Sequence, residues 1–476
     1  MTEPKKDISK YVQRIEEELP AEESAHKASA QTAAEEPVEL SEESDKEDEQ
    51  DEQLSEEAEP AKPATEPAEP RPSLLDHTIK RFFGGDRVLW VIIIALLTIS
   101  VLVVYSSTAK MAYSANSSLS SGGFLKAQLA LIMLSGGALF VAHRFNSRFY
   151  QAISPWVWGA ALVMTLAVYF TGTTINGAAR WFSIGGFRFQ PSELLKIAVI
   201  MYLAYQLSRR QDTIRRRSII PTLKFWQWNR KENLEVWAYG GWPIFVPIGL
   251  SCAVILPSHT SSALIVFMLS LAMLYIGRVS WSDIFRLVKW ALVAMMFVSI
   301  LGLGRSSTAS GRLTTWWDVW FADRTEVPAL KLSDTERAMV AIHDGSVMGQ
   351  GAGQSAIRVE MTHPESDYAF AFFVEEYGII LAIFLLALYV WVFFRAFAIF
   401  NHCPKKYPAM LALGIALLIT GQALLHIMVT LNIIPETGQT LPLISRGGSS
   451  LLFTCIGLGM ILSVSRQNDE GSHTGN

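Results

Sequence analysis

Apolar residues in this chain run in long, nearly unbroken blocks separated by short polar stretches. A helix needs about 20 such residues to cross the hydrocarbon of a bilayer. Ten segments qualify, near residues 88–107, 124–143, 155–171, 191–207, 239–257, 260–278, 284–304, 367–398, 409–431 and 448–465, the fourth being short. The expected fold is an all-α polytopic membrane protein of ten transmembrane helices, because a lipid-embedded backbone must satisfy its own hydrogen bonds. One long polar loop, residues 305–366, interrupts the pattern between the seventh and eighth segments. The expected organisation is a tail over 1–84, a ten-span domain over 85–466 and a short C-terminal tail over 467–476.

Lys and Arg beside the segments set the orientation, since cytoplasmic loops collect them. The loop after the fourth segment carries Arg209, Arg210, Arg215, Arg216, Arg217, Lys224, Arg230 and Lys231. Arg144 and Arg148, Arg286 and Lys289, and Lys405 and Lys406 fall on the same side. With ten spans both termini join them in the cytoplasm, and the 305–366 loop faces outward. The 209–231 cluster reads as a topology signal in contact with lipid headgroups rather than as a binding site.

Composition agrees: half of the 476 residues are hydrophobic. The net charge of −4 conceals a division. Residues 1–70 hold 23 acidic and 7 basic groups, for −16, and the remainder 21 acidic and 33 basic, for +12. The acidic stretch is rich in Glu, Ala and Pro and poor in aromatics, so the expectation is a disordered cytoplasmic tail. Its start lacks the basic-then-apolar pattern of a signal peptide, so the first apolar segment is expected to be a retained span. Cys252, Cys403 and Cys455 are scattered, with no metal-ligand spacing, which predicts neither a disulfide nor structural zinc.

Three polar clusters sit where polar groups are costly. The first runs from Asn176 to Lys196. Its Gln190-Pro191-Ser192-Glu193 stretch reads as a helix start, with Glu193 and Lys196 sharing a face. Arg180-Trp181 and Gly185-Gly186 before it suggest a segment lying along the outer surface. The second is the outer loop, with Asp318, Asp323, Asp334, Glu336 and Asp344. Most such acids are solvated and inert. Asp318 and Asp323 differ because Trp316, Trp317, Trp320 and Phe321 flank them. Aromatics pin a loop to the membrane interface and raise a neighbouring carboxylate's basicity by excluding water. The third cluster, residues 435–450, combines prolines, glycines and hydroxyls between two apolar segments. It reads as irregular backbone dipping into the membrane, with Arg446 as an anion contact.

Together these clusters resemble the SEDS family (shape, elongation, division and sporulation) of peptidoglycan polymerases, over residues 88 to 466. The anchors are Asn176-Gly177, Arg180-Trp181, Gln190-Pro191-Ser192-Glu193 with Lys196, Gly349-Gln350-Gly351, Ser366-Asp367 with Glu375-Glu376-Tyr377-Gly378, Leu441-Pro442-Leu443-Ile444-Ser445, and Gly447-Gly448-Ser449-Ser450. The wording around Leu441 is closer to the division, FtsW-like branch than to the RodA-like one. The resemblance implies septal peptidoglycan synthesis at a bacterial cytoplasmic membrane, with lipid II as substrate. The acceptor GlcNAc 4-hydroxyl attacks the donor MurNAc C1, and undecaprenyl pyrophosphate leaves.

The resemblance also implies a catalytic Asp in the outer loop, here Asp323 as general base with Asp318 as second choice. The family's Asn-Pro-Trp-x-Asp-Pro wording departs here to Trp317-Asp318-Val319-Trp320-Phe321-Ala322-Asp323, without either proline. The implied substrate contacts are Arg180, Glu193, Lys196, Asp367, Arg446 and Ser449. Arg446 stands where the family often has Tyr, and is read as supplying a cation that some members carry at the position of Thr437. No cofactor is required, although a divalent cation is compatible with a pyrophosphate leaving group. Partners implied are an FtsI-like class B penicillin-binding transpeptidase, divisome proteins and membrane lipids, with no nucleic acid. Two other readings stand beside it. A lipid II flippase would use the same membrane cavity but does not account for the acid- and tryptophan-bearing outer loop; a non-catalytic divisome scaffold would use the acidic tail for interaction and leave Asp323 and Asp318 replaceable.

Overall fold

The computed structural model describes residues 83–107, 121–175, 178–184, 187–216, 237–300, 306–321, 332–355, 361 and 366–473. The acidic tail, Asp323, Asn176-Gly177, Gly185-Gly186 and much of the basic 209–231 cluster lie outside those residues.

Every predicted apolar segment is a helix. These are α1 (Arg87–Ser107), α2 (Ser121–Arg144), α3 (Ser147–Thr171), α4 (Pro191–Arg216), α5 (a π-helical Trp237–Phe245 continuing as Val246–Ile255) and α6 (Thr260–Ile276). After α7 (Trp281–Ile300), the polar loop contributes two further helices, α8 (Ser306–Phe321) and α9 (Asp334–Gly345). Then follow α10 (Ala369–His402), α11 (Lys406–Thr430) and α12 (Gly448–His473). Six of these, α1, α2, α3, α10, α11 and α12, are long and apolar enough to cross a membrane. α5 and α6 contain shorter apolar helices. α4 and α7 fall outside that measure and carry Glu193 and Lys196, and Asp283, Arg286 and Lys289, respectively.

The mostly helical architecture also holds an element that hydrophobic periodicity did not indicate. Strands β1 (Thr173–Ile175), β2 (Ala178–Ile184) and β3 (Phe187–Phe189) form an antiparallel sheet in that order. Phe182 pairs with Phe189 and Ser183 with Arg188. This sheet occupies the place where the sequence suggested a surface-lying segment before α4.

α11 and α12 form the centre: 72% and 83% of their apolar windows are buried, against 22% for α3. Trp156 and Phe170 on α3, largely exposed, suit contact with lipid instead. Close approach at the centre depends on small residues. A Cβ on Gly459 of α12 would lie 2.4 Å from the Leu139 carbonyl of α2. Asp86 caps α1 by accepting from Val88 and Leu89 N–H groups at 2.9 and 3.1 Å. Its second oxygen meets Arg395 of α10 at 2.6 Å.

α10 breaks at Gly378, whose φ of 81° and ψ of 171° suit only glycine. The gap is filled by the turn after α9. Gln350 and Gly351 N–H donate to the carbonyls of Glu375 and Glu376, and Ile379 N–H donates to Ser346 O. The two buried carboxylates face the same joint: Glu376 accepts from Ser106 Oγ at 2.6 Å and Gly353 N–H at 2.9 Å, and Glu375 accepts from Ser355 Oγ. The Gly349-Gln350-Gly351 and Glu375-Glu376-Tyr377-Gly378 motifs are thus two halves of one structural contact.

Candidate active site

The stretch between α11 and α12 returns into the bundle. Tyr389 of α10 donates to the Pro442 carbonyl, and Thr420 of α11 donates to Tyr389 O at 2.9 Å. Thr420 lies ten residues before the end of α11, about 15 Å down its axis. Leu441, Leu443 and Ile444 are at most 1% exposed, so protein covers this irregular backbone, as a low-dielectric setting requires. Leu443 sits at φ 67°, a left-handed conformation costing about 1 kcal/mol for a residue with a Cβ. Ser445 holds that turn: its Oγ accepts from Leu441 N–H at 2.8 Å and donates to Ser366 O at 2.8 Å.

Polar side chains from two helices grip the same segment. Ser261 of α6 donates to Thr437 O at 2.7 Å. The Gln439 amide bonds Ser262 Oγ at 3.0 Å and lies 3.4 Å from His259 Nδ1. His426 of α11 donates through Nδ1 to Gln439 O at 2.8 Å and accepts from Phe370 N–H at 3.4 Å. His259 caps α6 by accepting from Ser262 N–H at 3.2 Å. Its pKa is pushed down to about 3, first by burial, then by the positive charges of Arg180, Lys196 and Arg312. His259 is therefore a neutral acceptor, and three positive charges act on its buried ring.

Beneath this segment Lys196 pairs with Glu193 at 2.8 Å, their side chains 1% and 11% exposed. Lys196 Nζ has no well-aligned hydrogen-bond acceptor among the described residues. Beside the pair is a cavity of ≈ 10 Å³ lined by Glu193, Gln422, Thr454 and apolar residues of α4, α11 and α12. That is room for about one water.

On the other side of residues 435–439 stands a carboxylate group. Glu436 lies 3.9 Å from Arg312. Burial pushes its pKa up, Arg312 opposes that, and Asp367 and Asp334 add to it. Tyr368 is raised by burial first, then by Glu436, and its hydroxyl bonds Thr335 Oγ1 at 3.1 Å. Asp367 accepts from Ser366 Oγ at 3.0 Å.

The sequence-derived candidates thus divide. Arg180 and Lys196 both act electrostatically on His259, with Glu193 bound to Lys196, and Asp367 acts on Glu436. Arg446 is half-buried in the turn before α12. Ser449 is buried in the first turn of α12, its Oγ without a hydrogen-bond partner among the described residues. Asp318 is exposed on α8 and joins neither group. Asp323 lies outside the described residues. Sequence reasoning did not single out Arg312, His259, Gln439 or Glu436. The available signals were the Arg312, Trp316, Trp320 spacing of four and the His259–Ser262 polar run between two apolar segments.

The model of a family described as "Cell cycle protein" (FtsW, RodA, SpoVE) matches residues 86–470. Among curated relatives, the probable peptidoglycan glycosyltransferase FtsW of Neisseria gonorrhoeae is 28% identical, over 83% of this chain and 88% of that one. The Haemophilus influenzae protein of the same name is 26% identical, over 80% and 91%. Among solved structures, a chain of a peptidoglycan synthase complex that coordinates polymerization and crosslinking superposes with a TM-score of 0.59. It is 22% identical, covering 81% of this chain and 98% of that one. The rod shape determining protein RodA of Thermus thermophilus gives 0.54 at 22% identity, over 82% and 99%. These last two likenesses bear on the fold.

Proposed function

We propose a function from one premise: the chain belongs to the FtsW/RodA/SpoVE family of cell cycle proteins. It is a peptidoglycan glycosyltransferase of the FtsW type, polymerising lipid II in a multi-pass membrane domain. The observation that carries this reading is the positive field that Arg180, Lys196 and Arg312 together set at the buried His259, with Arg312 on the same loop helix as Asp318. Pyrophosphate departure builds negative charge, and preorganised cations at that point lower the barrier.

The reaction balances as one displacement. The acceptor 4-hydroxyl oxygen bonds to donor C1 while the C1–O bond to undecaprenyl pyrophosphate breaks. The hydroxyl proton passes to a carboxylate, a step worth about 10²–10⁴-fold when the base is positioned. Asp323 is that base, with Asp318 the second choice. Glu193, Lys196, Asp367, Arg446 and Ser449 line the substrate path. Ten spans place both termini in the cytoplasm and the 305–366 loop outside, at the septum. A class B penicillin-binding transpeptidase works alongside and crosslinks the product.

The test is polymerisation of labelled lipid II by the purified protein with that partner, whose own site is blocked by a β-lactam. Wild type should make glycan strands and folded Asp323→Ala none. Sensitivity of Asp318→Ala instead would move the base to that residue. A wild type that makes no strands in a demonstrated complex would sink the polymerase reading.

A further inference from the structure

Arg312, Trp316 and Trp320 stand four residues apart and so form one stripe along α8. All three meet the stretch that follows α11. The indole N–H groups of Trp316 and Trp320 both donate to the carbonyl of Asn432, at 2.9 and 2.8 Å. Arg312 adds its 3.9 Å approach to Glu436.

The end of α11 builds the acceptor. Asn432 takes a left-handed φ of 56°. Its N–H returns to Val429 O, and Ile433 N–H to Met428 O, both at 2.9 Å. This closure turns two N–H groups inward, onto carbonyls the helix end leaves open. The Asn432 carbonyl, with two lone pairs, is left to α8. Asn432 is 1% exposed, so its carbonyl needs those donors in place of water. Simple anchoring at a membrane interface would not bring two indoles onto one buried carbonyl. Trp317 and Phe321, exposed and with rings 4.3 Å apart, form a separate pair suited to that anchoring.

We infer that this joint seats α8 on the membrane bundle, and that Trp316, Trp320 and Asn432 are positioning residues for glycan polymerisation, an inference that rests on the polymerase reading above. α8 carries Asp318, and Asp323 follows its last residue by two positions in sequence. Across the joint, residues 437–439 are bonded to Ser261, Ser262 and His426. One contact therefore couples the acid-bearing α8 to the segment whose Gln439 packs against His259. Rates are steep in such placement: an error of about 1 Å costs on the order of 10²-fold.

The experiment compares wild type with the Trp316→Phe/Trp320→Phe double variant, which keeps most of the ring area and deletes both donors. Full-length protein with its transpeptidase partner is assayed on lipid II, and hydrogen exchange is followed in residues 306–321. The expected result is faster exchange in α8 alone, kcat lower by about 10- to 100-fold and KM within about twofold. Exchange as slow as in wild type would show that the indoles do not hold α8, and faster exchange with unchanged kcat that its seating does not matter; either overturns the inference. A raised KM at unchanged kcat also overturns it, by making α8 a binding surface. A second variant, Asn432→Gly, keeps the left-handed turn and its carbonyl and should leave exchange in α8 as slow as in wild type; faster exchange there would shift the role to the Asn432 side chain and overturn the carbonyl joint. If wild type makes no glycan, the polymerase reading fails, whereas the exchange data still judge the joint.

Discussion

Lys196 and Glu193 are two charges in a setting that tolerates neither alone. Removing one partner of such a pair leaves the other uncompensated, at a cost of about 3–5 kcal/mol. Lys196→Met should therefore lower the thermal midpoint in detergent sharply. Glu193→Gln combined with Lys196→Met should regain most of that stability, because an apolar and amide pair is often as stable as the ions it replaces. Polymerisation should stay low in the double variant, since the cation is still missing; full recovery of activity would reduce the pair to architecture. Glu436 makes a prediction of opposite sign. Burial raises its folded pKa above that of the unfolded chain. Its contribution to stability is therefore whole below the unfolded value of about 4.3 and is lost as pH rises through the folded one. Gln at this position is neutral throughout. The midpoint of Glu436→Gln relative to wild type should climb between about pH 4 and pH 7. A difference that stays flat or falls over that interval would show that Arg312 outweighs burial.

The kink of α10 and the turn after α9 form an element that neither stretch of sequence could make alone. A Cβ at Gly378 would lie 2.4 Å from Val347 O, on a backbone conformation nearly exclusive to glycine. Gly378→Ala should cost about 2 kcal/mol or more and expose Ser346 to Gly353 to proteolysis. Gly421→Ala, inside α11 where a Cβ meets nothing within 4 Å, is the control. It should be neutral or stabilising by up to about 1 kcal/mol, and equal losses in both variants would remove the kink's special status. These motifs were legible in sequence as family anchors, yet their joint role was not. Pairing Gly349 with Glu376 depends on the path of the chain between them. The same limit explains Arg312 and His259. A spacing of four along 312–320 marks a helix face but not what the face meets, and a lone His between two apolar segments reads equally as a cap or a ligand. The positions of the apolar helices, by contrast, follow from uninterrupted hydrophobicity, a signal each segment carries by itself.

At the scale of the whole molecule, the polymerase reading requires the α8 side of the site to face outward and the α10–α11 connection to face the cytoplasm. The chain carries a reporter for this. Cys403, half-buried at the end of α10, lies two residues before the Lys405-Lys406 pair, whereas Cys455 is buried within α12. Burial raises the Cys403 thiol, so labelling belongs at mildly alkaline pH, about 8.5, where more thiolate forms. Thr314 is exposed on α8, on the face opposite the Arg312–Trp320 stripe, so a Thr314→Cys substitution leaves the joint intact. With Cys252 and Cys455 replaced by Ala, a membrane-impermeant maleimide should label Thr314→Cys in intact spheroplasts and Cys403 only in inverted membranes. The reverse pattern would place Asp318 of α8 on the cytoplasmic side, where lipid II is not assembled into wall, and the polymerase reading would fail on geometry alone. Labelling of both sites from one side would instead give an even number of crossings between them, contradicting the ten-span arrangement, in which only α10 crosses from the outer loop to Cys403.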